Sequence, residues 1–473
     1  MFKTAHLKDF VLTSSALVGY QLTICLSYVI CTVFIGKHGD AMALASYGLA
    51  RTAISMVFNG LIMGVQESLG VVCSRLYGAQ QYRDLWRYLW MSVTIAVTLA
   101  ALFHIFSIYS ASILISIGIE ENVAIATNIL LRKCAYALYL QGTNQVINNF
   151  LSAQHVTKPL FYLNFMSLAL IFVFATIFID RLKMGAIGFA YTIICREICN
   201  SCYYTFLILK YVDKTYFEAP NLISMRNRFW DFLKLNVYTT LAFYGELVAF
   251  QIGTYYAALI HDVEDLATWI TYTNYTSVVY YVAVGLGTTV RNLVGKTIGE
   301  SSIEEAKRES LIYFKYISVF SLVLMGLQLV YSDSIARIFT NDINIINQLR
   351  QNINLYTLCI LSTLIVPGLN SLYRVMGREK FMFLTNAIFY PIGIAIANYL
   401  LCFTFGLGIW GLNIGHVTCK IVVSSTLFWY LYTRVEWKKN TQSILGNNRY
   451  SEQLIEKSID RSVISETELK VYN

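Results

Sequence analysis

The sequence predicts an all-α polytopic membrane protein with twelve transmembrane helices in two pseudo-symmetric six-helix lobes. Its 473 residues are 56% hydrophobic and only 14% charged, whereas soluble proteins average about 25% charged residues. Lipid permits only helices or closed barrels to cross it. The apolar segments here are continuous and do not alternate as barrel strands do, so we expect helices. An internal repeat divides those helices into two equal sets.

Twelve segments are long enough to cross a bilayer, which takes about 20 mostly apolar residues. The predicted spans are residues 10–35, 42–72, 86–110, 123–152, 159–180, 185–211, 230–260, 266–294, 311–332, 345–374, 380–404 and 408–433. They define an N-terminal lobe at 1–211, a cytoplasmic linker at 212–229 and a C-terminal lobe at 230–434. Residues 435–473 are polar and charged, which indicates a cytoplasmic tail that is partly disordered.

Basic residues concentrate in the loops that follow even-numbered spans, such as Arg75 and Arg83 after the second and Lys296 and Lys307 after the eighth. The positive-inside rule therefore predicts that both termini are cytoplasmic. We expect an integral protein of the plasma membrane or of an endosomal or vacuolar membrane. The net charge of +8 resides largely in these loops and indicates no nucleic acid partner.

The two halves resemble each other at an offset of about 222 residues, at which Gly78 corresponds to Gly299 and Gly185 to Gly408. Six spans per repeat insert both halves in the same orientation. Such parallel repeats are related by an axis along the membrane normal, a transporter plan in which the substrate binds near the midplane. We expect Gly78 and Gly299 to end their helices and to turn the chain along the cytoplasmic surface.

Glu246 lies near the middle of the seventh predicted span. Ionisable residues at such a position usually face the bundle interior or a wet cavity and mark an ion or substrate pathway. At helical spacing Glu246 shares a face with Thr239, Phe243, Phe250 and Gly253. This mixture of small, polar and aromatic groups is typical of a cavity wall. An acid paired inside the bundle for structural reasons is the alternative.

Several short segments resemble the eukaryotic branch of the multidrug and toxic compound extrusion (MATE) family. The segments with the resemblance are residues 34–39 (FIGKHG), 77–82 (YGAQQY), 246–251 (ELVAFQ), 294–299 (VGKTIG), 305–308 (EAKR) and 376–378 (MGR). The resemblance implies two six-helix lobes forming a V around a central cleft. It also implies proton- or sodium-driven export, mostly of organic cations. Glu246 matches the seventh-span acid that eukaryotic members use for coupling, and Gln21 matches a first-span glutamine of animal members.

The sequence departs from that family at other acidic positions. Gln251, Asn274 and Thr363 stand where members carry acids in the second half, and the second-span acid falls at Gly70, with Glu67 one turn earlier. Coupling through several carboxylates is therefore in doubt. A single-acid proton mechanism, a substrate of different charge and loss of coupling remain open.

Three further polar positions lie deep in predicted spans. Arg196 and Glu197 are neighbours in the sixth span, where successive side chains point about 100° apart. We therefore expect each to find a partner elsewhere, with Glu67 the candidate for Arg196, either as a structural pair or as a first-half binding site. Tyr272 belongs to a tyrosine-rich region around spans seven and eight, and aromatic faces attract organic cations.

The sequence-based hypothesis is a monomeric proton/organic-cation antiporter of the lipid bilayer with Glu246 as its coupling residue. Desolvation favours the neutral form of a carboxyl, so a proton and a cationic substrate would occupy this site in turn while the lobes rock. No cofactor or metal is expected, because an ion gradient drives the cycle, with H⁺ preferred over Na⁺.

There are five alternatives. A major-facilitator transporter shares the parallel repeat, but the loop after span two lacks that family's usual Asp-Arg signature. A sodium-coupled exporter and a lipid-linked flippase share the expected fold, but a flippase cleft should contain more basic residues, and few deep Arg or Lys are expected here. A membrane-embedded enzyme is disfavoured because no His/Asp/Glu metal set and no P-loop is found. A receptor or scaffold would need neither the repeat nor Glu246.

Overall fold

A computed structural model describes residues 4–38, 41–217, 222–260, 263–339 and 343–442. The predicted tail lies mostly outside these described residues. Within them the chain forms long helices joined by short loops, which we label in chain order. They are α1 (Thr4–His38), α2 (Ala41–Ala53, continued by a π-helical turn at Ile54–Asn59 into Gly60–Gly78), α3 (Tyr82–Ser116), α4 (Glu121–Ala153), α5 (Thr157–Arg181), α6 (Gly185–Tyr211), α7 (Leu222–Leu259), α8 (Val263–Gly299), α9 (Ile303–Val330), α10 (Ile353–Val375), α11 (Glu379–Thr404) and α12 (Gly408–Thr433).

The helices follow the predicted spans closely and extend past many of them. Across the described ranges, nine helices are long and apolar enough to cross a membrane, and α6, α7 and α8 fall outside that set. The count of twelve membrane spans therefore stays a prediction. Helix α7 begins at Leu222, inside the predicted linker. The prediction missed this first part of the helix because hydropathy detects only the part that lies in hydrocarbon.

The tenth predicted span begins too early. Residues 343–351 form a separate short helix, preceded by another at Ser332–Phe339, and α10 begins only at Ile353. Asn352 separates the last two helices and accepts a hydrogen bond from Asn413 on α12 at 3.0 Å. Its side-chain amide also donates to the Gln348 carbonyl at 3.0 Å. Asparagine side chains compete with helical hydrogen bonding through such local bonds, and an apolar count does not detect the break.

The backbone repeats itself in the two halves. Residues in the left-handed region of φ recur at the predicted offset, 221 to 223 residues apart, as the pairs Gln80/Ser301, His155/Gly377, Lys183/Gly406 and Gly185/Gly408. π-helical turns likewise close α5 at Thr176–Arg181 and α11 at Leu400–Thr404. Helices α1–α6 and α7–α12 therefore form two pseudo-symmetric lobes, each built around its own apolar core.

The lobes pack together mainly through α1 and α2 of the first and α7 and α8 of the second. Contact is closest where α2 and α8 end, and we call this end of the bundle the loop face. Gly78 and Gly299 end their helices as predicted, but the left-handed turns follow at Gln80 and Ser301. A Cβ on Gly78 would strike the Lys296 carbonyl, so these glycines serve the close approach of two helices and not the turn.

Candidate functional site

Glu246 lies on α7 facing the space between the lobes and is 8% exposed. Its carboxylate accepts one hydrogen bond from the Tyr280 hydroxyl on α8 and one from the Asn370 amide on α10, each at 2.8 Å. Asn370 is oriented in turn by a 2.7 Å hydrogen bond from Asn386, within the π-helical turn of α11. Both groups that contact the carboxylate are neutral, so its negative charge is solvated but not cancelled by direct contact.

A cavity of about 330 Å³ lies between the lobes and reaches Glu246. Its size falls in the range of small-molecule sites, which begins at about 300 Å³. The predicted residues Gln21, Gln251 and Asn274 lie on its wall. The remaining lining combines aromatic rings with amides and hydroxyls, including Tyr28, Asn59, Gln66, Gln145, Phe243, Phe250, Tyr280 and Tyr281. We call this space the central cavity.

Glu246 also lines two smaller cavities. One, of about 10 Å³, is lined by Phe250, the predicted residue Thr363 and Lys420. The other, of about 40 Å³, leads to Glu67 and Arg374. The carboxylate of Glu246 therefore lies where three spaces meet.

Glu67 is predicted from the sequence as the partner of Arg196, and this prediction is wrong. Its carboxylate bonds the Arg291 guanidinium at 2.9 Å and that of Arg374 at 3.2 Å, and Arg291 is fully buried. Arg291 fills space that a side chain at residue 70 would occupy, which accounts for Gly70. Glu67, Arg291 and Arg374 form an inter-lobe charge cluster between the central cavity and the loop face. Helical periodicity could not reveal this pairing because the partners come from different lobes.

Arg196 and Glu197 pair with each other, contrary to expectation. The expectation was wrong because it considered only Cβ directions, whereas the long guanidinium reaches around to the neighbouring carboxylate. The Asn144 amide donates to the other carboxylate oxygen at 2.7 Å. The pair borders a polar cavity of about 50 Å³ inside the first lobe.

Tyr272 does not contact the central cavity. Its ring stacks on Tyr356 at a centroid distance of 3.9 Å, within an apolar cluster that also contains Trp269. Position within a tyrosine-rich region therefore did not identify a residue of the central cavity, since packing and lining tyrosines are alike in sequence.

The expectation of few deep basic residues is also wrong. Arg291 is 0% exposed and Lys420 6% exposed. Both lie inside predicted spans, and a search for lone cations in apolar runs would have found them, as it found Glu246. In the part of the chain that the structure describes, no group of three or more His, Cys, Asp and Glu could hold a metal ion.

Comparison with known proteins agrees with this architecture. The MatE family model matches residues 16–177 and again residues 239–400, so the two matches begin 223 residues apart. Multidrug and toxin extrusion protein 1 of Pongo abelii is 25% identical over 429 residues, covering 89% of this chain and 74% of its own length. Protein DETOXIFICATION 20 of Arabidopsis thaliana is 25% identical over 461 residues, covering 92% of this chain and 88% of its own.

The fold matches a solved structure as well. The crystal structure of the eukaryotic MATE transporter AtDTX14 superposes with a TM-score of 0.83 at 18% identity, covering 93% of this chain and 98% of that one.

The two helical lobes around a central cavity, together with these matches, define a membrane transporter and not an enzyme. The chain belongs to the MatE family of multidrug and toxin extrusion transporters.

Proposed function

We propose that the protein is a proton-coupled antiporter that exports organic cations, with Glu246 as the group that binds proton and substrate in turn. The observation that carries this proposal is the carboxylate at the cavity wall whose direct partners, Tyr280 and Asn370, are both neutral. A buried carboxylate without a cation in direct contact is costly, and either a proton or an organic cation relieves that cost.

The lining of the central cavity supports a cationic substrate. Phe243, Phe250 and Tyr281 present aromatic rings, and a desolvated cation over such a ring gains roughly 2 kcal/mol. None of the described residues that line this cavity is Lys or Arg. A flippase for a phosphate-bearing lipid would need such cations, so an organic cation is the better fit.

Coupling follows from exclusive occupancy of one carboxylate. Proton binding from one side of the membrane displaces the cation, and the lobes rock between states that open to opposite sides. The inter-lobe charge cluster of Glu67, Arg291 and Arg374 must separate when the loop face opens, because its members belong to different lobes.

The orientation of the cycle rests on the loop charges. If the loop face is cytoplasmic, as the positive-inside rule predicts, the tight packing of α2 on α8 closes the cytoplasmic side. We propose that the protein acts as a monomer in the plasma membrane or an endosomal or vacuolar membrane, with both termini in the cytoplasm.

Proteoliposomes loaded at acidic pH and diluted into alkaline buffer test the proposal through uptake of tetraethylammonium. The wild type should concentrate the cation, Glu246→Gln should abolish uptake, and Glu305→Gln, which alters an exposed acid, should behave as wild type. A parallel arm with a sodium gradient and no pH gradient separates the two driving ions. Normal uptake by Glu246→Gln would refute the role of Glu246 in coupling. Uptake driven by a sodium gradient alone would show that the coupling ion is sodium and not the proton.

A further inference from the structure

A second charged group lies in the same lobe as Glu246. Lys420 on α12 is 6% exposed, and its ammonium donates to the Thr363 hydroxyl at 2.8 Å. The ammonium also lies over the Phe250 ring, 4.7 Å from its centroid. Buried lysines are normally paired with an acid, yet both of these contacts are with neutral groups.

Thr363 is well suited to hold a cation. Its hydroxyl proton is directed to the Cys359 carbonyl at 2.8 Å, so an oxygen lone pair remains for the ammonium. The ammonium of Lys420 is therefore held by neutral groups on two neighbouring helices.

Glu246 is the only acid among the described residues that line the small cavity containing Lys420. Phe250 lies between this small cavity and the central cavity, since its ring is part of both walls. A cation bound near Glu246 would thus be close to the positive charge of Lys420. The ring of Phe250 would lie between the bound cation and the ammonium.

We propose that Lys420 is a tethered cation that selects ligands by charge, so that the central cavity binds a monovalent organic cation in preference to a divalent one of the same shape. This inference rests on the proposed cation site at Glu246. Coulomb repulsion is proportional to ligand charge. Removing the ammonium should therefore raise the affinity for a monocation by some factor and the affinity for a dication by the square of that factor. The affinity for a neutral ligand should not change.

Three ligands of nearly one shape make the measurement: bipyridine, its mono-N-methylated cation and its di-N-methylated dication. Their affinities are measured by calorimetry on purified, nanodisc-embedded protein at a pH where free pyridine nitrogens are neutral. The variants are Lys420→Gln, Lys420→Arg and Thr363→Asp, which sets a carboxylate against the ammonium. Lys307→Gln removes one exposed positive charge far from the cavity as the matched control.

Lys420→Gln should strengthen monocation binding on the order of tenfold and dication binding on the order of a hundredfold, with bipyridine unchanged. Lys420→Arg and Lys307→Gln should match the wild type. Thr363→Asp should act in the same direction as Lys420→Gln, and it tests the inference if the glutamine variant does not fold.

Equal changes for all three ligands, or no change, would overturn the inference, because Lys420 would then act only through packing. The same measurements distinguish failure of the Lys420 inference from failure of the proposed function. Cation binding that Glu246→Gln abolishes but Lys420→Gln does not alter refutes only the role of Lys420. Cation binding that survives Glu246→Gln refutes the coupling site itself.

Discussion

Each lobe buries a carboxylate beside a cavity, Glu197 in the first and Glu246 in the second, and these two carboxylates have different partners. Glu197 on α6 pairs with Arg196 and accepts the Asn144 amide. Among the described residues, the hydrogen-bond partners of the Glu246 carboxylate on α7 are the neutral groups of Tyr280 and Asn370. Burial is alike, at 3% and 8% exposed. Burial in a helix alone therefore does not distinguish the two acids, whereas a cationic hydrogen-bond partner, present for Glu197 and not found for Glu246 among the described residues, does.

The largest expected effect tests whether the first-lobe pair is structural. Arg196→Gln leaves Glu197 buried without its cation, which should lower the free energy of unfolding by about 3–5 kcal/mol. The double variant Arg196→Gln/Glu197→Gln should recover most of that loss, because no uncompensated charge remains. Thermal unfolding of purified protein measures stability, and proteoliposome uptake measures function.

The double variant should still transport the cation. If it folds but loses proton-driven uptake, the first lobe takes part in coupling and the contrast between the lobes fails.

The inter-lobe packing gives an intermediate effect. Gly299→Ala places a methyl group against the Arg75 carbonyl, and overpacking of this kind costs about 1–3 kcal/mol. The closed loop face should be destabilised, so a cysteine introduced at Ser74, beside Gly295, should react faster with a membrane-impermeant maleimide. Gly326→Ala, at a glycine with open space around it, is the matched control. Equal labelling of both variants would mean that this contact does not hold the face closed.

An effect of similar size, confined to one hydrogen bond, concerns the solvation of Glu246 itself. Tyr280→Phe retains the ring but removes the hydroxyl that donates to the carboxylate at 2.8 Å. A hydrogen bond to a charged group contributes about 1.5–3 kcal/mol, so cation affinity should fall by about tenfold or more. Tyr281→Phe, which also lines the cavity, serves as the comparison, and calorimetry with tetraethylammonium measures both. Equal losses of cation affinity in the two variants would show that the loss does not arise from the hydrogen bond between Tyr280 and Glu246.

The helices and the repeat could be predicted because both rest on local patterns. Long apolar runs specify α1 to α5, and paired glycines such as Gly185 and Gly408 repeat a backbone turn. Glu246 was identifiable as a lone acid in an apolar run, and helical spacing correctly put Phe243 and Phe250 on its face.

The partners of charged residues could not be predicted from the sequence. Glu67 meets Arg291 across the lobe interface, 224 positions away along the chain, and no periodicity links them. Lys420 meets Thr363 from a different helix for the same reason. Pairing depends on how helices rotate and approach, which tertiary packing determines.

Competition between proton and cation for Glu246 is measured most directly by proton release. Tetraethylammonium is added to purified protein in weakly buffered solution containing a pH-sensitive dye. The wild type should release up to about one proton per cation bound in a pH range where Glu246 is protonated beforehand, and Glu246→Gln should release none. Cation binding without proton release throughout the titrated range, or equal release by the Gln variant, would contradict the account.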